Sequence, residues 1–169
     1  ELDGAPTKAQ ILTWLAGLTA RSDSRVLIGQ DLKYQPPGAP IGYNDFIRQL
    51  YYDTHKLPAL LSGTGFRYRD MTTAQTADML WYLINYWYCG GLITAYHNAD
   101  NPWTGGTSGD LTRPELGLSE LYTPGSGAAY TAWQADLSRM ANEIQLLKDR
   151  GAVIMLRAFH ECTGDWYWW

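Results

Sequence analysis

Four short apolar runs constrain the fold of this 169-residue chain more than anything else in it: 25–30 (RVLIGQ), 58–65 (PALLSGTG), 92–97 (LITAYH) and 152–159 (AVIMLRAF). Each is short and apolar at successive positions, with Gly, Pro or polar residues close by. Each therefore reads as a strand buried on both faces, the habit of a parallel sheet covered by helices. Between the runs the apolar spacing turns helical. Thr7-Lys8-Ala9-Gln10 has the spacing of a capping box, and Ile11, Trp14, Leu15 and Leu18 follow it. After a Pro-rich loop expected over 31–42, Phe46, Ile47, Leu50 and Tyr51 mark a second helix. Thr72-Thr-Ala-Gln75 repeats the capping-box spacing, and Ala77, Leu80, Trp81, Ile84, Trp87 and Tyr88 are expected on one apolar face, ended by Gly90-Gly91. Trp133, Leu137, Met140, Ile144 and Leu147 predict the longest helix, stopped by Gly151.

Helix, then strand–helix three times, then strand, is the order of an α/β domain. Two architectures satisfy it: a doubly wound open sheet, or part of a (β/α)8 barrel. A whole barrel takes about 250 residues, so four strands amount to half of one. In either case the loops at 31–42 and 98–126 and the pair His160–Glu161 all follow strands, at the sheet edge where both architectures hold ligands. No G-x-G-x-x-G or P-loop opens a helix, so nucleotide binding has no support. The net charge of −4, with no run of Lys or Arg, argues against nucleic acid. No apolar stretch reaches the roughly 18 residues of a membrane helix, and the longest candidate, 79–89, is broken by Asn85. The two cysteines, Cys89 and Cys162, form neither a disulfide framework nor a zinc pattern. They fall at opposite ends of the expected strands, too far apart to bridge, and read as free thiols. A start at Glu1 reads as a processed or trimmed terminus.

The chemistry concentrates in 156–169 (LRAFHECTGDWYWW). Glu161 ends a strand among indole rings. Burial there is expected to disfavour its charged form and raise its pKa, as a general acid requires; an ion pair with Arg157 or another cation is the alternative. His97 and His160 read as hydrogen-bonding groups of a polar pocket or as packed, satisfied histidines. A metal site from His97, Asp100, His160 and Glu161 has no spacing to support it, because H-E-x-x-H lacks its second His here. No metal or cofactor is expected. Trp166, Trp168 and Trp169 suit either a sugar-stacking platform or core filling. With 8 Trp and 12 Tyr against 3 Phe, the chain favours rings that carry a polar handle.

LRAFHECTGDWYWW resembles the strand-four motif of glycoside hydrolase family 26, in which an Arg, a His-Glu pair and a Gly-x-Trp-aromatic-Trp-Trp run follow one another. GGLITAYHNADNPWTGG, 90–106, resembles the strand-three segment of the same family. The resemblance implies a (β/α)8 barrel of which this chain supplies strands 1–4 and the helices between them, with 1–169 as the N-terminal half of the catalytic domain. It also implies a retaining glycosidase with two glutamates. Most members are endo-β-1,4-mannanases, and some are β-1,3-xylanases or mixed-linkage glucanases. Carried over by motif, Glu161 is the general acid/base. His160 orients the nucleophile or contacts the sugar, His97 contacts the sugar, Trp166 is a stacking wall, and Arg157 supports the glutamates electrostatically. The implied partner is β-mannan or a related plant cell-wall polysaccharide, with no role for nucleic acid or membrane, and the implied location is extracellular, secreted or at the cell surface.

One departure accompanies the match. The family's nucleophile is a Glu at the end of strand seven, and these four strands do not include it. Retaining chemistry needs two carboxyls about 5–5.5 Å apart. Asp31 and Asp100 are the nearest alternatives, and the resemblance supports neither. The chain is thus expected to be inactive alone and to depend on the remainder of the barrel, in the same or a second chain. Two readings of other classes remain: a catalytically dead sugar-binding half-barrel, and a metal-dependent hydrolase or deacetylase.

Overall fold

The computed structural model describes residues 5–23, 26–32, 43–63, 72–114 and 117–169. The elements are α1 (Lys8–Ala16), β1 (Gly29–Leu32), a turn of π-helix (Tyr43–Arg48) running into α2 (Gln49–Thr54), β2 (Leu60–Gly63), α3 (Thr73–Tyr88), β3 (Leu92–Tyr96), a 3₁₀ segment (Gly117–Tyr122), α4 (Ala128–Lys148) and β4 (Ile154–Arg157). Both capping boxes form. Gln10 N donates to Thr7 Oγ1 at 3.3 Å while Thr7 N donates to Gln10 Oε1 at 2.8 Å, and Thr72 and Gln75 do the same at the start of α3. All but the first two residues of the expected loop, 33–42, and part of the expected second strand, 64–65, lie outside the described residues.

All four strands are parallel and stand in chain order, β1-β2-β3-β4. That order settles the architecture left open by the sequence. A doubly wound sheet reverses its winding at a switch point, whereas here every crossover steps the same way, as in a barrel wall. The register aligns Asp31 with Ser62, Ser62 with Thr94, and Thr94 with Met155. Side chains alternate across a strand, so these residues, with Tyr96 and Arg157 two places on, line one face. Leu32, Leu61, Ile93 and Ala95 point the other way and share a buried core with Met79, Leu83, Tyr86 and Trp87 of α3 and Leu147 of α4. The helix-covered face holds the apolar core, and the open face carries the polar groups.

Three expectations shift. Strand pairing in the first run starts only at Gly29, and Val26 and Ile28 are 80% and 65% exposed. β1 pairs with β2 alone among the described residues. The fourth run pairs only over Ile154–Arg157 and then turns. The expected face of α3 holds in part. Ile84 and Trp87 are buried in the core and Leu80 packs against it, but Met79, Leu83 and Tyr86 join them there, while Trp81 and Tyr88 are exposed. Residues 79–88 are apolar or aromatic nearly all round, so periodicity alone could not choose which stripe faces the sheet. Cys89 and Cys162 are free and exposed. Among the described residues, no helix is long and apolar enough to cross a membrane.

Candidate active site

The open face of the sheet gathers one polar group after another at the carboxyl ends of its strands. Asp31 from β1 and Tyr96 from β3 meet there, the tyrosine hydroxyl 3.4 Å from Asp31 Oδ2. They are not adjacent strands, and the contact crosses β2, which a concave sheet allows. Burial pushes the Asp31 carboxyl up from its ordinary pKa, against the opposing pull of the Ser62 and Tyr96 hydroxyls and the Arg157 guanidinium. Arg157 ends β4 in register with Tyr96. Among the described residues no ion pair joins it to Glu161, so the salt-bridged alternative for that glutamate is not formed.

His160 and Glu161 stand in the turn after β4. His160 is buried, its ring 4.8 Å from Tyr96, 5.0 Å from Tyr167 and 5.6 Å from Trp169. Burial lowers its pKa below the ordinary histidine value, with Arg157 and His97 acting the same way and Glu161 and Asp31 opposing. Its Nδ1 has no hydrogen-bond partner among the described residues. A buried polar nitrogen left without a partner is a costly feature. Glu161 takes the left-handed backbone conformation, φ 52°, which few side chains adopt outside a constrained turn. Its Oε2 accepts from Trp166 Nε1 at 2.7 Å. Contrary to the sequence expectation, the Glu161 side chain is exposed, not enclosed by indoles. One indole edge touches it, and the others turn elsewhere.

The aromatic run alternates. Trp166 is 53% exposed beside Glu161, while Trp168 is fully buried and donates from Nε1 to Ala99 O at 3.0 Å. Tyr167 stacks on Trp169 at 4.5 Å, and Trp169 Nε1 donates to His160 O at 3.1 Å. Trp168 is core filling, and Trp166 is the ring presented to solvent at the carboxyl.

His97 takes the packed one of its two expected settings. Ile93 and Ala95 face the helices, and His97 continues that parity. It is 2% exposed, with Nε2 2.6 Å from Asp136 Oδ2 of α4 and its ring parallel to Trp133. The residue before it, Tyr96, occupies the open face instead. Sequence reasoning passed over Tyr96 and Asp136. Strand alternation counted back from His97 would have found the first, and nothing local marks the second. Among the described residues, no group of three or more His, Cys, Asp or Glu side chains is placed to hold a metal ion; His97, Asp100, His160 and Glu161 do not form one.

The family model for glycosyl hydrolase family 26 matches residues 6–169. The chain belongs to that family. Mannan endo-1,4-beta-mannosidase A and B of Caldalkalibacillus mannanilyticus is 30% identical over 175 residues, which takes in 96% of this chain and 32% of that protein. A mannan endo-1,4-beta-mannosidase of Bacillus subtilis is 28% identical, over 96% of this chain and 45% of its own length. This family 26 chain therefore spans less than half of either relative. In fold it is similar to the Bacillus subtilis mannanase man26, with a TM-score of 0.79 at 22% identity, over 98% of this chain and 50% of that one. The family 26 domain from Prevotella bryantii gives 0.68 at 18% identity, over 99% of this chain and 55% of that one. The four-stranded sheet thus corresponds to about half of a family 26 barrel.

Proposed function

We propose that residues 1–169 form the N-terminal half of the catalytic barrel of a retaining endo-β-1,4-mannanase, with Glu161 as its general acid/base. The observation that carries this is Glu161 itself. It is the carboxylate in the turn after β4, gripped by Trp166 Nε1 and flanked by a buried imidazole, in a chain of family 26. Relatives named as mannan endo-1,4-beta-mannosidases favour mannan as the polymer.

In the first step the Glu161 carboxyl gives its proton to the glycosidic oxygen as the C–O bond breaks. A nucleophilic glutamate from the remainder of the barrel, in the same or a second chain, bonds to the anomeric carbon. In the second step Glu161 takes a proton from the water that hydrolyses that ester. Trp166 offers its exposed face to a sugar ring beside the cleaved bond. Arg157 lies on the same wall and favours negative charge on the glutamates. His160, with Nδ1 uncommitted, contacts the sugar or the nucleophile. Polymer substrates of this kind are met outside the cell, so the protein is extracellular.

The test is reducing-sugar release from mannan, β-1,3-xylan and mixed-linkage glucan by the intact protein and its Glu161→Gln variant. The expected result is preference for mannan and a loss of about 10²–10⁴-fold in the variant. The loss should be far smaller on an aryl glycoside whose leaving group needs no proton. Preference for xylan or glucan would reassign the polymer. Binding without hydrolysis by the intact protein would replace the enzyme reading with a sugar-binding half-barrel.

A further inference from the structure

Asp136 sits on α4, buried, on the helix-covered side of the sheet, where the proposed hydrolytic steps make no use of it. Its two oxygens are divided. Oδ1 accepts from Arg139 Nη2, one helical turn on. Oδ2 lies 2.6 Å from His97 Nε2, and both side chains are almost wholly buried. Oδ2 accepts no well-aligned hydrogen bond among the described residues; a contact this short in a dry interior is nonetheless favourable only with a proton on Nε2, because two lone pairs facing each other would repel. The arrangement costs stability compared with a packed apolar pair.

What Asp136 holds in place is the back of the proposed site. His97 lies parallel to Trp133, at 9°, and Trp133 stacks on Phe159, the residue before His160–Glu161. Trp133 also meets Trp168 edge-on, and Trp168 meets Trp169, whose Nε1 donates to His160 O. Trp133 and Asp136, three residues apart on α4, grip the end of β3 and the turn after β4 together.

We propose that Asp136 is a positioning residue. Anchored by Arg139, it fixes His97 with its proton on Nε2, and through the His97–Trp133–Phe159 stack it sets the turn that carries His160 and Glu161. Its catalytic consequence rests on the reading of Glu161 as acid/base; its effect on His97 does not.

Asp136→Asn in the intact protein tests it. Arg139 donates to the side-chain oxygen and so holds the Asn oxygen, which turns the amide NH₂ toward His97 and forces the ring proton to Nδ1. Nitrogen-15 NMR of the imidazoles should show His97 protonated at Nε2 in the parent and at Nδ1 in the variant. On mannan, kcat should fall about tenfold while KM stays within about twofold. In Asp136→Asn/Arg139→Gln the amide is released to turn its oxygen inward, and the Nε2 proton and most of kcat should return. If Asp136→Asn does not fold, Asp136→Glu keeps the carboxylate and should keep the Nε2 proton. An unchanged tautomer in Asp136→Asn, a changed one in Asp136→Glu, or an unchanged kcat in Asp136→Asn overturns the proposal. If the parent hydrolyses none of the three polysaccharides, the hydrolase reading fails, and the NMR arm still decides whether Asp136 sets His97.

Discussion

Trp166 Nε1 donates to Glu161 Oε2 at 2.7 Å, and the indole folds back over Gly164 so closely that a Cβ there would lie 2.5 Å from the ring. Gly164 N in turn donates to Glu161 O at 3.0 Å, closing the turn. Glycine is required at 164 by this close approach, and the spacing Glu-x-x-Gly-x-Trp is what brings the indole to the carboxyl. Gly164→Ala removes no functional atom, yet it must displace the ring. It should lower kcat/KM on mannan by about ten- to a hundredfold, the same order as Trp166→Phe, since a hydrogen bond to a charged group is worth about 1.5–3 kcal/mol and each 1.4 kcal/mol is about tenfold. Steady-state kinetics on the two variants checks this. Full activity in Gly164→Ala would mean that the indole contact is dispensable.

His160 makes stability depend on pH in a stated direction. Its folded pKa lies below the ordinary value of 6.5, chiefly through burial. As pH falls through about 6.5, the unfolded chain takes up a proton that the folded chain resists, so stability falls. The loss continues until the folded pKa is reached and is absent above the unfolded one. His160→Gln should flatten the slope of unfolding free energy as pH falls below about 6.5. Urea titrations at several pH values measure it, and an unchanged slope would refute the assignment.

The sequence made the scaffold easy to read where one local rule had no rival. Thr7/Gln10 and Thr72/Gln75 are capping boxes in both sequence and structure, and the short apolar runs are parallel strands. Legibility failed where geometry beyond the local pattern decided. α3 is apolar nearly all round, so only the sheet could select Met79, Leu83 and Tyr86. The His-Glu pair and its tryptophans were visible as a motif, but not that Glu161 would be exposed and His160 buried. The motif left open whether His97 is a pocket group or a packed histidine, because a motif gives order along the chain, while strand parity gives the face. Asp136 is silent in the sequence. It lies 39 residues from His97 (136 − 97) and meets it only through helix-on-sheet packing.

Gly91 and Tyr86 fix the junction between α3 and β3. A Cβ on Gly91 would sit 2.1 Å from the Tyr86 ring. The Tyr86 hydroxyl donates to Pro58 O at the entrance to β2, and burial pushes its pKa up to about 12. Tyr86→Phe leaves a buried carbonyl without its donor and should cost about 1–3 kcal/mol. Gly91→Ala must push the same ring aside and should cost at least as much. Because both act through one ring, the double variant should cost less than the sum of the singles. Chemical denaturation of the three variants tests this, and strict additivity would show that the glycine acts elsewhere.

Asn101 governs the long loop after β3 and, through it, the floor under the aromatic run. Its side chain is fully buried. The Nδ2 group donates to Asp110 O and Thr112 O, both at 2.7 Å, and Oδ1 accepts from Trp103 N at 2.9 Å and Thr104 N at 3.3 Å. The loop it shapes holds both backbone polar groups of Trp168, with Ser108 O accepting from Trp168 N and Arg113 Nη1 donating to Trp168 O. Asn101→Ala leaves two carbonyls and two amides unsatisfied and should cost about 3 kcal/mol or more. Asn101→Asp is the sharper test. It keeps Oδ1 for the two amides but turns a carboxylate oxygen toward two carbonyl oxygens that need donors. Repulsion then adds to the lost bonds, unless the group takes up a proton, and one proton can serve only one carbonyl. The isosteric variant should therefore be less stable than the truncated one at neutral pH, and the gap should narrow as pH is lowered and the carboxyl protonates. Thermal unfolding of both variants at neutral and acidic pH decides it. An Asp variant as stable as the parent would mean that the loop does not depend on the amide donors.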